Sequence, residues 1–205
     1  MPPDHVLPPK PYRQGRLDGL CGVYACINAM RYLNAINHPM RRLPWRNLFY
    51  ECLSHLSERW SVPDIATYGL SSAQLWSCAK HLRNTLESQH RVHTELSRPL
   101  IGVGFKSARQ IFAMLEKHLI YPDHSAILGF YSDSYSHWTV LSHVSDGSVF
   151  LFDSAGARSL ATRRFTYRQP ETKPVSNPEA KGCSPSLDFT PTCLIMIRRR
   201  DTAGL

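Results

Sequence analysis

The sequence lacks long apolar runs, and this absence narrows the class of protein. No stretch of the chain approaches the roughly 18 consecutive apolar residues that a transmembrane helix needs. The N-terminus, MPPDHVLPPKPYRQG, also lacks the apolar core of a secretory signal peptide. We therefore expect a cytoplasmic protein with no membrane partner.

Closely spaced cysteine pairs are also lacking. The six cysteines include no CxxC pair, and the chain is large enough to fold without disulfides. Cys21 and Cys26 are five residues apart, so on a helix they would point about 140° away from each other. We predict no metal site and no cofactor, and we interpret five cysteines as packing residues, namely Cys26, Cys52, Cys78, Cys183 and Cys193.

Acidic residues are fewer than basic ones. The chain has 24 Lys and Arg against 16 Asp and Glu, a formal net charge of +8. The arginine-rich spots are scattered, and no motif of interleaved aromatic and basic residues surrounds them. A solvated basic face explains this pattern, so we expect no nucleic-acid partner.

The chain length and the residue pattern predict a single α+β domain over residues 1–205. Apolar periodicity and capping residues predict helices over residues 19–34, 43–60, 71–86 and 107–119. Strands are predicted over residues 125–132, 137–144, 148–155, around 163–168, and 193–197. Residues 1–13 form a proline-rich extended arm, and residues 169–192 form a long loop rich in proline and serine.

The first predicted helix carries a cysteine at its start, in the stretch QGRLDGLCGVYACINAMRYL. We take Asp18 as the N-cap, and apolar residues on nearly every side predict a helix in the middle of the core. The positive end of the helix macrodipole favours a thiolate at Cys21, whereas the Asp18 carboxylate opposes it. A histidine base is therefore needed as a second source of activation.

His137 is the best of the ten histidines for this role, because it opens a largely apolar strand. Asp153 ends the next strand, where a carboxylate can orient the imidazole. The backbone N–H of Cys21 and the side-chain amide of Gln14 can donate hydrogen bonds to a developing oxyanion. Together these residues predict a site for nucleophilic acyl transfer.

The spacing of His137 and Asp153 makes a prediction about the hairpin between them. They are sixteen residues apart, so they share a sheet face only if the loop holds an odd number of residues. A plain two-residue Asp146-Gly147 turn would place them on opposite faces. We therefore predict a longer or bulged connection, for example a five-residue loop centred on Ser145, with a positive φ at Gly147.

This arrangement resembles the papain-like cysteine peptidase superfamily. The cysteine comes first (DGLCGVYACINAM), a histidine then opens a strand (SHWTVL), an aspartate ends the next (LFDSAG), and a glutamine lies upstream. Around the cysteine the sequence is most similar to the bacteriocin-leader-processing (double-glycine peptidase-like) branch, because papains have an aromatic residue where Gly22 stands. The resemblance covers about residues 14–33 and 127–156.

The resemblance implies a papain-like fold, in which a central catalytic helix of the N-terminal part packs on a C-terminal antiparallel sheet. It also implies roles for four residues. Cys21 would be the nucleophile, His137 the base and acid, and Asp153 the orienting group, with Gln14 in the oxyanion hole.

We expect a cysteine peptidase or thiol hydrolase that cleaves a peptide or isopeptide bond in a protein or peptide substrate through a thioester. Because unregulated general proteolysis would harm a cytoplasm, we expect narrow specificity. A processing peptidase, an isopeptidase or an effector delivered to another cell would each have it. Two alternatives stay open. One is a transglutaminase-like deamidase or acyltransferase with the same triad, and the other is a non-enzymatic basic binding module. The pattern leaves the oligomeric state open.

Overall fold

The computed structural model describes residues 9–15, 18–37, 43–133, 135–169 and 186–200. The helices in this part of the chain are α1 (Cys21–Asn37), α2 (Trp45–Ser57), α3 (Val62–Tyr68), α4 (Ser72–His90) and α5 (Ala108–Leu119). The strands are β1 (Thr94–Ser97), β2 (His124–Ser132), β3 (Tyr135–Ser145), β4 (Ser148–Leu151), β5 (Ser159–Ala161), β6 (Phe165–Tyr167), β7 (Leu187–Phe189) and β8 (Leu194–Arg199).

The strands form one sheet in the order β1-β8-β2-β3-β4-β5. Every neighbouring pair along this path is antiparallel. The short strand β7 pairs antiparallel with the end of β2 and parallel with β6. The prediction of a mixed α+β protein with an antiparallel sheet is confirmed.

Helices cover both faces of this sheet. Side chains from α1, α2 and α4 pack against one face, which presents Ile127, Val140 and Ile195. Helix α5 packs against the other face, which presents Leu128 and Leu194 among others. Alternation along β2 sends consecutive apolar side chains into the two clusters, so the sheet lies between two layers of helix.

Helix α1 occupies the central position predicted for it, since its side chains are buried on nearly every side. It begins at Cys21 instead of near Gly19 and continues to Asn37, three residues beyond the predicted end. The Asp18 carboxylate accepts the N–H of Leu20 at 3.2 Å and so holds the turn that leads into the helix.

Three further predicted helices are present as α2, α4 and α5. Ser71 and Gln74 form a capping box at the start of α4, and Ser107 accepts a backbone N–H at the start of α5. Helix α3 and strand β1 were not predicted, because both are short and neither carries a full period of apolar residues.

The prediction of an unbroken loop over residues 169–192 is wrong at its C-terminal end. Leu187 and Phe189 are buried and form β7, so two alternating apolar residues outweigh the composition rich in proline and serine. The returning strand predicted over residues 193–197 is present as β8. Residues 170–185, with Cys183, lie outside the described residues, as do residues 1–8 of the predicted arm.

Most of the cysteines assigned to packing behave as expected. Cys26, Cys52 and Cys78 are fully buried between α1, α2 and α4, and Cys193 is partly exposed. Within the described ranges, no cluster of three or more His, Cys, Asp or Glu side chains is placed to hold a metal ion. Nor does that part of the chain contain a helix of the length and apolarity that a membrane crossing requires.

Candidate active site

Cys21 is the first residue of α1, and close packing fixes this end of the helix. A Cβ atom on Gly22 would lie 3.1 Å from side-chain carbons of Leu70 and Leu75 and 3.3 Å from the Trp138 ring. The Trp138 indole N–H donates to the Leu70 carbonyl at 2.8 Å and ties β3 to the segment after α3. A small residue after the cysteine therefore lets β3 approach the N-terminus of α1 closely.

His137 and Asp153 meet directly. Nε2 of His137 lies 2.6 Å from Oδ1 of Asp153, and the two residues are only 6% and 2% exposed. Cys21 is also only 6% exposed, and its side chain lies close enough to the imidazole to raise the pKa of His137. The thiol itself donates to the Gly19 carbonyl, with 3.8 Å between sulfur and oxygen. Because Asp153 occupies Nε2, the ring presents Nδ1 to the thiol. The structure thus brings together the three residues predicted as nucleophile, base and orienting group.

The imidazole of His137 is charged at neutral pH. Burial alone would lower its pKa, but the hydrogen bond with Asp153, reinforced by the Cys21 contact, raises the pKa from 6.5 to about 9. An imidazolium held in this position stabilises a thiolate on the facing sulfur. The site therefore places a positively charged ring beside the Cys21 sulfur.

The Asp153 carboxylate is itself held from two sides. Its Oδ2 accepts the backbone N–H groups of Gly156 at 2.8 Å and Ala157 at 3.1 Å, while Oδ1 faces His137. Burial raises the pKa of Asp153, but the hydrogen bond and charge of His137 outweigh it, so the net pKa lies below the ordinary value. The carboxylate is therefore ionised and fixed in orientation.

The hairpin between His137 and Asp153 is bulged, but not where the five-residue loop was predicted. Asp146 and Gly147 form a plain two-residue turn with positive φ at both residues (50° and 69°), so the longer loop is wrong and the positive φ at Gly147 is confirmed. The extra residue is Ser142, which lies at a register shift in β3 and has no residue directly opposite it in β4. Asp-Gly is a strong two-residue turn former, so the required irregularity moved into the strand.

The bulge restores the alternation that the triad needs. Beyond it, Leu141 pairs with Leu151, and the Phe152 N–H donates to the Val140 carbonyl at 2.9 Å. Asp153 follows Phe152, so its side chain lies on the same face of the sheet as that of His137. The sixteen-residue spacing of His137 and Asp153 thus predicted an irregular connection correctly, but the irregularity lies in β3 and not in the turn.

Gln14 lies beside the triad, and its side chain is hydrogen-bonded to both neighbouring segments. Its amide nitrogen donates to the Asp18 carbonyl, and its amide oxygen accepts from the Ser154 hydroxyl at 3.3 Å. The Gln14 backbone N–H also donates to the Ser154 carbonyl at 3.2 Å. Gln14 therefore bridges the approach to Cys21 and the residue after Asp153, and its predicted role in an oxyanion hole stays a prediction.

Two aromatic neighbours of the imidazole were missed by the sequence reasoning. Tyr135 stacks on His137 with 5.6 Å between ring centroids and an angle of 24°, and Phe130 meets it edge-on at 5.9 Å. Tyr135 lies two residues before His137 on the same strand, so the period of a strand could have identified it. Phe130 needed the register of β2 against β3, where it lies opposite His137.

Two cavities of the described chain lie away from the triad. One, of about 870 Å³, lies along β1 and β8 and is lined by paired charges such as Glu87 with His93 and Glu95 with Arg198. Another, of about 850 Å³, lies between α5 and the β3–β4 turn. Neither includes a triad residue, and matched ion pairs mark the first as a solvated surface.

The fold and the site define a mixed α+β protein with a buried cysteine, histidine and aspartate side by side, in which the histidine is hydrogen-bonded to the aspartate. No protein-family model matches the chain, and no curated protein is significantly similar to it in sequence.

Proposed function

We propose that the protein is a papain-like cysteine peptidase or a related thiol hydrolase that acts on a peptide or isopeptide bond. One observation carries the proposal. The Cys21 thiol lies against an imidazole whose Nε2 is 2.6 Å from the buried carboxylate of Asp153. The order and local sequence of these residues, which resemble the papain-like superfamily, support the same function.

The proposed reaction uses the ion pair of Cys21 and His137. The thiolate sulfur attacks the carbonyl carbon and forms a C–S bond, while the carbonyl oxygen takes the negative charge. When the C–N bond breaks, Nδ1 of His137 gives its proton to the departing amine. The neutral imidazole then takes a proton from water, the hydroxide breaks the C–S bond, and the acid product leaves.

The negative oxygen needs nearby N–H donors. The backbone N–H of Cys21 lies in the first turn of α1, where N–H groups have no helical acceptor. The Gln14 amide is the second donor in this proposal, because it has two N–H bonds and uses one toward the Asp18 carbonyl. Each donor of this kind contributes roughly 100-fold or more to the rate of acyl transfer.

The same triad geometry supports a second candidate. A transglutaminase-like deamidase would form the thioester from a side-chain amide, release ammonia and use water as the acceptor. An acyltransferase would instead pass the acyl group from the thioester to an amine. Mass spectrometry of a treated candidate substrate separates these outcomes. A broken chain means hydrolysis of the backbone, amide-to-acid conversion means deamidation, and a new amide means transfer.

Alkylation with iodoacetamide at about pH 6, followed by peptide mapping, tests the activated thiolate directly. We expect Cys21 to react first and the preference to disappear in His137→Ala. Cys193 is the internal control, since it is more exposed than Cys21. If labelling follows exposure and Cys193 reacts first in the wild type, the proposed function is wrong.

A further inference from the structure

The catalytic imidazole of the proposed site lies between two aromatic rings with very different exposure. Phe130 is 5% exposed and closes one side of His137 edge-on. Tyr135 stacks on the ring and is 49% exposed. The accessible aromatic surface beside the imidazole is therefore provided by Tyr135.

The position of Tyr135 follows from the strand geometry. Tyr135 opens β3 and shares a face with His137, two residues later. The register of β2 against β3 places Ser132 opposite Tyr135 and Phe130 opposite His137. Ser132 is too small to cover Tyr135 from the neighbouring strand, which leaves much of the tyrosine ring exposed.

The chemistry of acyl transfer indicates which part of the substrate lies beside Tyr135. The imidazole must reach the nitrogen that leaves, because His137 supplies its proton. The part of the substrate attached to that nitrogen must then lie beside the imidazole, and the exposed ring there is Tyr135. Burial, with the nearby charges of Asp153 and Cys21, raises the pKa of Tyr135 to about 12, so the ring stays neutral at working pH.

We propose that Tyr135 is a specificity-determining residue on the leaving-group side of the site, where its ring binds an apolar or aromatic side chain of the released segment. The inference rests on the proposed function. It also applies to transfer, because by microscopic reversibility an incoming amine occupies the place of the leaving amine.

The test uses a small acyl donor and two amines, so it needs no knowledge of the natural substrate. p-Nitrophenyl acetate acetylates the Cys21 sulfur and releases p-nitrophenol. The acetyl thioester is then offered glycinamide or phenylalaninamide. The amine nitrogen forms the new C–N bond as the C–S bond breaks, and its proton passes through His137 to the sulfur. The ratio of the two acetylated amides measures binding on the leaving-group side.

We expect phenylalaninamide to be favoured several-fold in the wild type and in Tyr135→Phe, and the preference to fall toward one in Tyr135→Ala. Tyr121→Ala is the matched control, since Tyr121 is 56% exposed and lies near the opposite end of β2. Thermal unfolding checks that each variant is folded.

Two outcomes overturn the inference, and they can be distinguished. If Cys21 is acetylated in every variant and Tyr135→Ala keeps the wild-type ratio, the role of Tyr135 is wrong and the proposed function stands. If the wild type shows no acetylation of Cys21 and no burst of p-nitrophenol, the proposed function fails and the inference fails with it.

Discussion

Asp153 determines both the charge and the orientation of His137 from a position that is 2% exposed. Its two oxygens have different partners, since Oδ2 accepts two backbone N–H groups and Oδ1 faces the imidazole. The backbone donors fix which side of the carboxylate faces the ring. Through its negative charge as well as its hydrogen bond, Asp153 raises the pKa of His137.

Asp153→Asn should remove this charge with little change in shape. The Asn oxygen must face the N–H groups of Gly156 and Ala157, which turns the amide N–H₂ toward Nε2 of His137. The imidazole then keeps its proton on Nδ1 and cannot take one from Cys21. We expect alkylation of Cys21 near neutral pH to slow by about 100-fold.

The rate constant of alkylation measured against pH checks this expectation. Asp188→Asn is the matched control, because it removes a carboxylate paired with Arg168 outside the triad. Equal rates for Asp153→Asn and the wild type would show that the carboxylate has no part in activating the thiol.

The raised pKa of His137 also makes stability depend on pH. Folding raises this pKa from 6.5 to about 9, so the native state favours the protonated ring. The contribution is fully present below about pH 6.5 and is lost as the pH rises through about 9. The shift corresponds to a free energy of unfolding on the order of 3 kcal/mol.

Urea unfolding of the wild type and His137→Gln at several pH values measures this contribution. We expect the stability difference to be largest at about pH 6 and to shrink steadily toward about pH 9.5. Parallel curves for the two proteins over this range would contradict the assignment. The depressed pKa of Asp153 acts in a separate window, because its contribution is lost only as the pH falls through the acidic range.

At the scale of the residue, the sequence predicted which residues meet in the candidate site but not which side chains surround them. That Cys21, His137 and Asp153 come together could be predicted, although His137 is the third residue of β3 instead of its first and Asp153 lies two residues beyond the end of β4. The stacking of Tyr135 and Phe130 could not, since it depends on the register of β2 against β3. The hydrogen bonds of Gln14 depend on where two distant loops cross, which local sequence does not encode.

At the scale of the element, the β3–β4 hairpin contains one residue more than its regular pairing can use. That extra residue is Ser142, which forms a bulge in β3. Its hydroxyl donates to the Phe150 carbonyl at 3.1 Å. Leu141 and Val144 both pack toward α5 although they are three positions apart along β3, whereas regular alternation places residues three positions apart on opposite faces. This break in the apolar alternation was the sequence signal for the bulge.

Deletion of Ser142 should therefore be tolerated. A regular strand would keep Leu141 opposite Leu151 and leave the meeting of His137 and Asp153 unchanged. We expect Cys21 alkylation within about two-fold of the wild type, because each remaining side chain keeps its face.

A glycine inserted between Thr139 and Val140 provides the contrast. It moves His137 one residue along β3 and turns its side chain to the face opposite Asp153. We expect this variant to lose selective alkylation of Cys21, with near-ultraviolet circular dichroism as the check on folding. Loss of selectivity on deletion of Ser142 would show that the bulge itself, and not the alternation, positions the triad.

At the scale of the whole molecule, residues 9–15 join the two sides of the candidate site. We call this segment the N-terminal strap. Asn28, fully buried in α1, accepts the Tyr12 N–H at 2.8 Å and donates to the Tyr12 carbonyl at 3.1 Å. Further along the strap, Gln14 pairs with Ser154, beside the orienting Asp153.

The sequence predicted an extended N-terminal arm but gave it no role. A proline-rich segment has few apolar side chains, so periodicity cannot show where it docks. The docking depends on one polar residue, Asn28, within an otherwise apolar helix, and its partners are backbone groups sixteen residues away. Backbone N–H and carbonyl groups are the same in nearly every residue, so the sequence does not show which of them Asn28 binds. The fold class was therefore predictable and this connection was not.

The strap links α1, which carries Cys21, to the loop that carries Asp153, so releasing it should loosen the triad without unfolding the core. Asn28→Leu removes both hydrogen bonds to Tyr12 and keeps a side chain of similar volume in the apolar layer of α1. We expect a loss of roughly 1–3 kcal/mol in the free energy of unfolding. Faster hydrogen exchange of the Gln14 backbone amide and alkylation of Cys21 slowed by several-fold should accompany it.

Asn84→Leu, on the exposed side of α4, is the control for the same substitution away from the strap. If Asn28→Leu is destabilised but keeps both the protected Gln14 amide and the wild-type alkylation rate, Asn28 only stabilises the core, and the strap does not couple the two sides of the site.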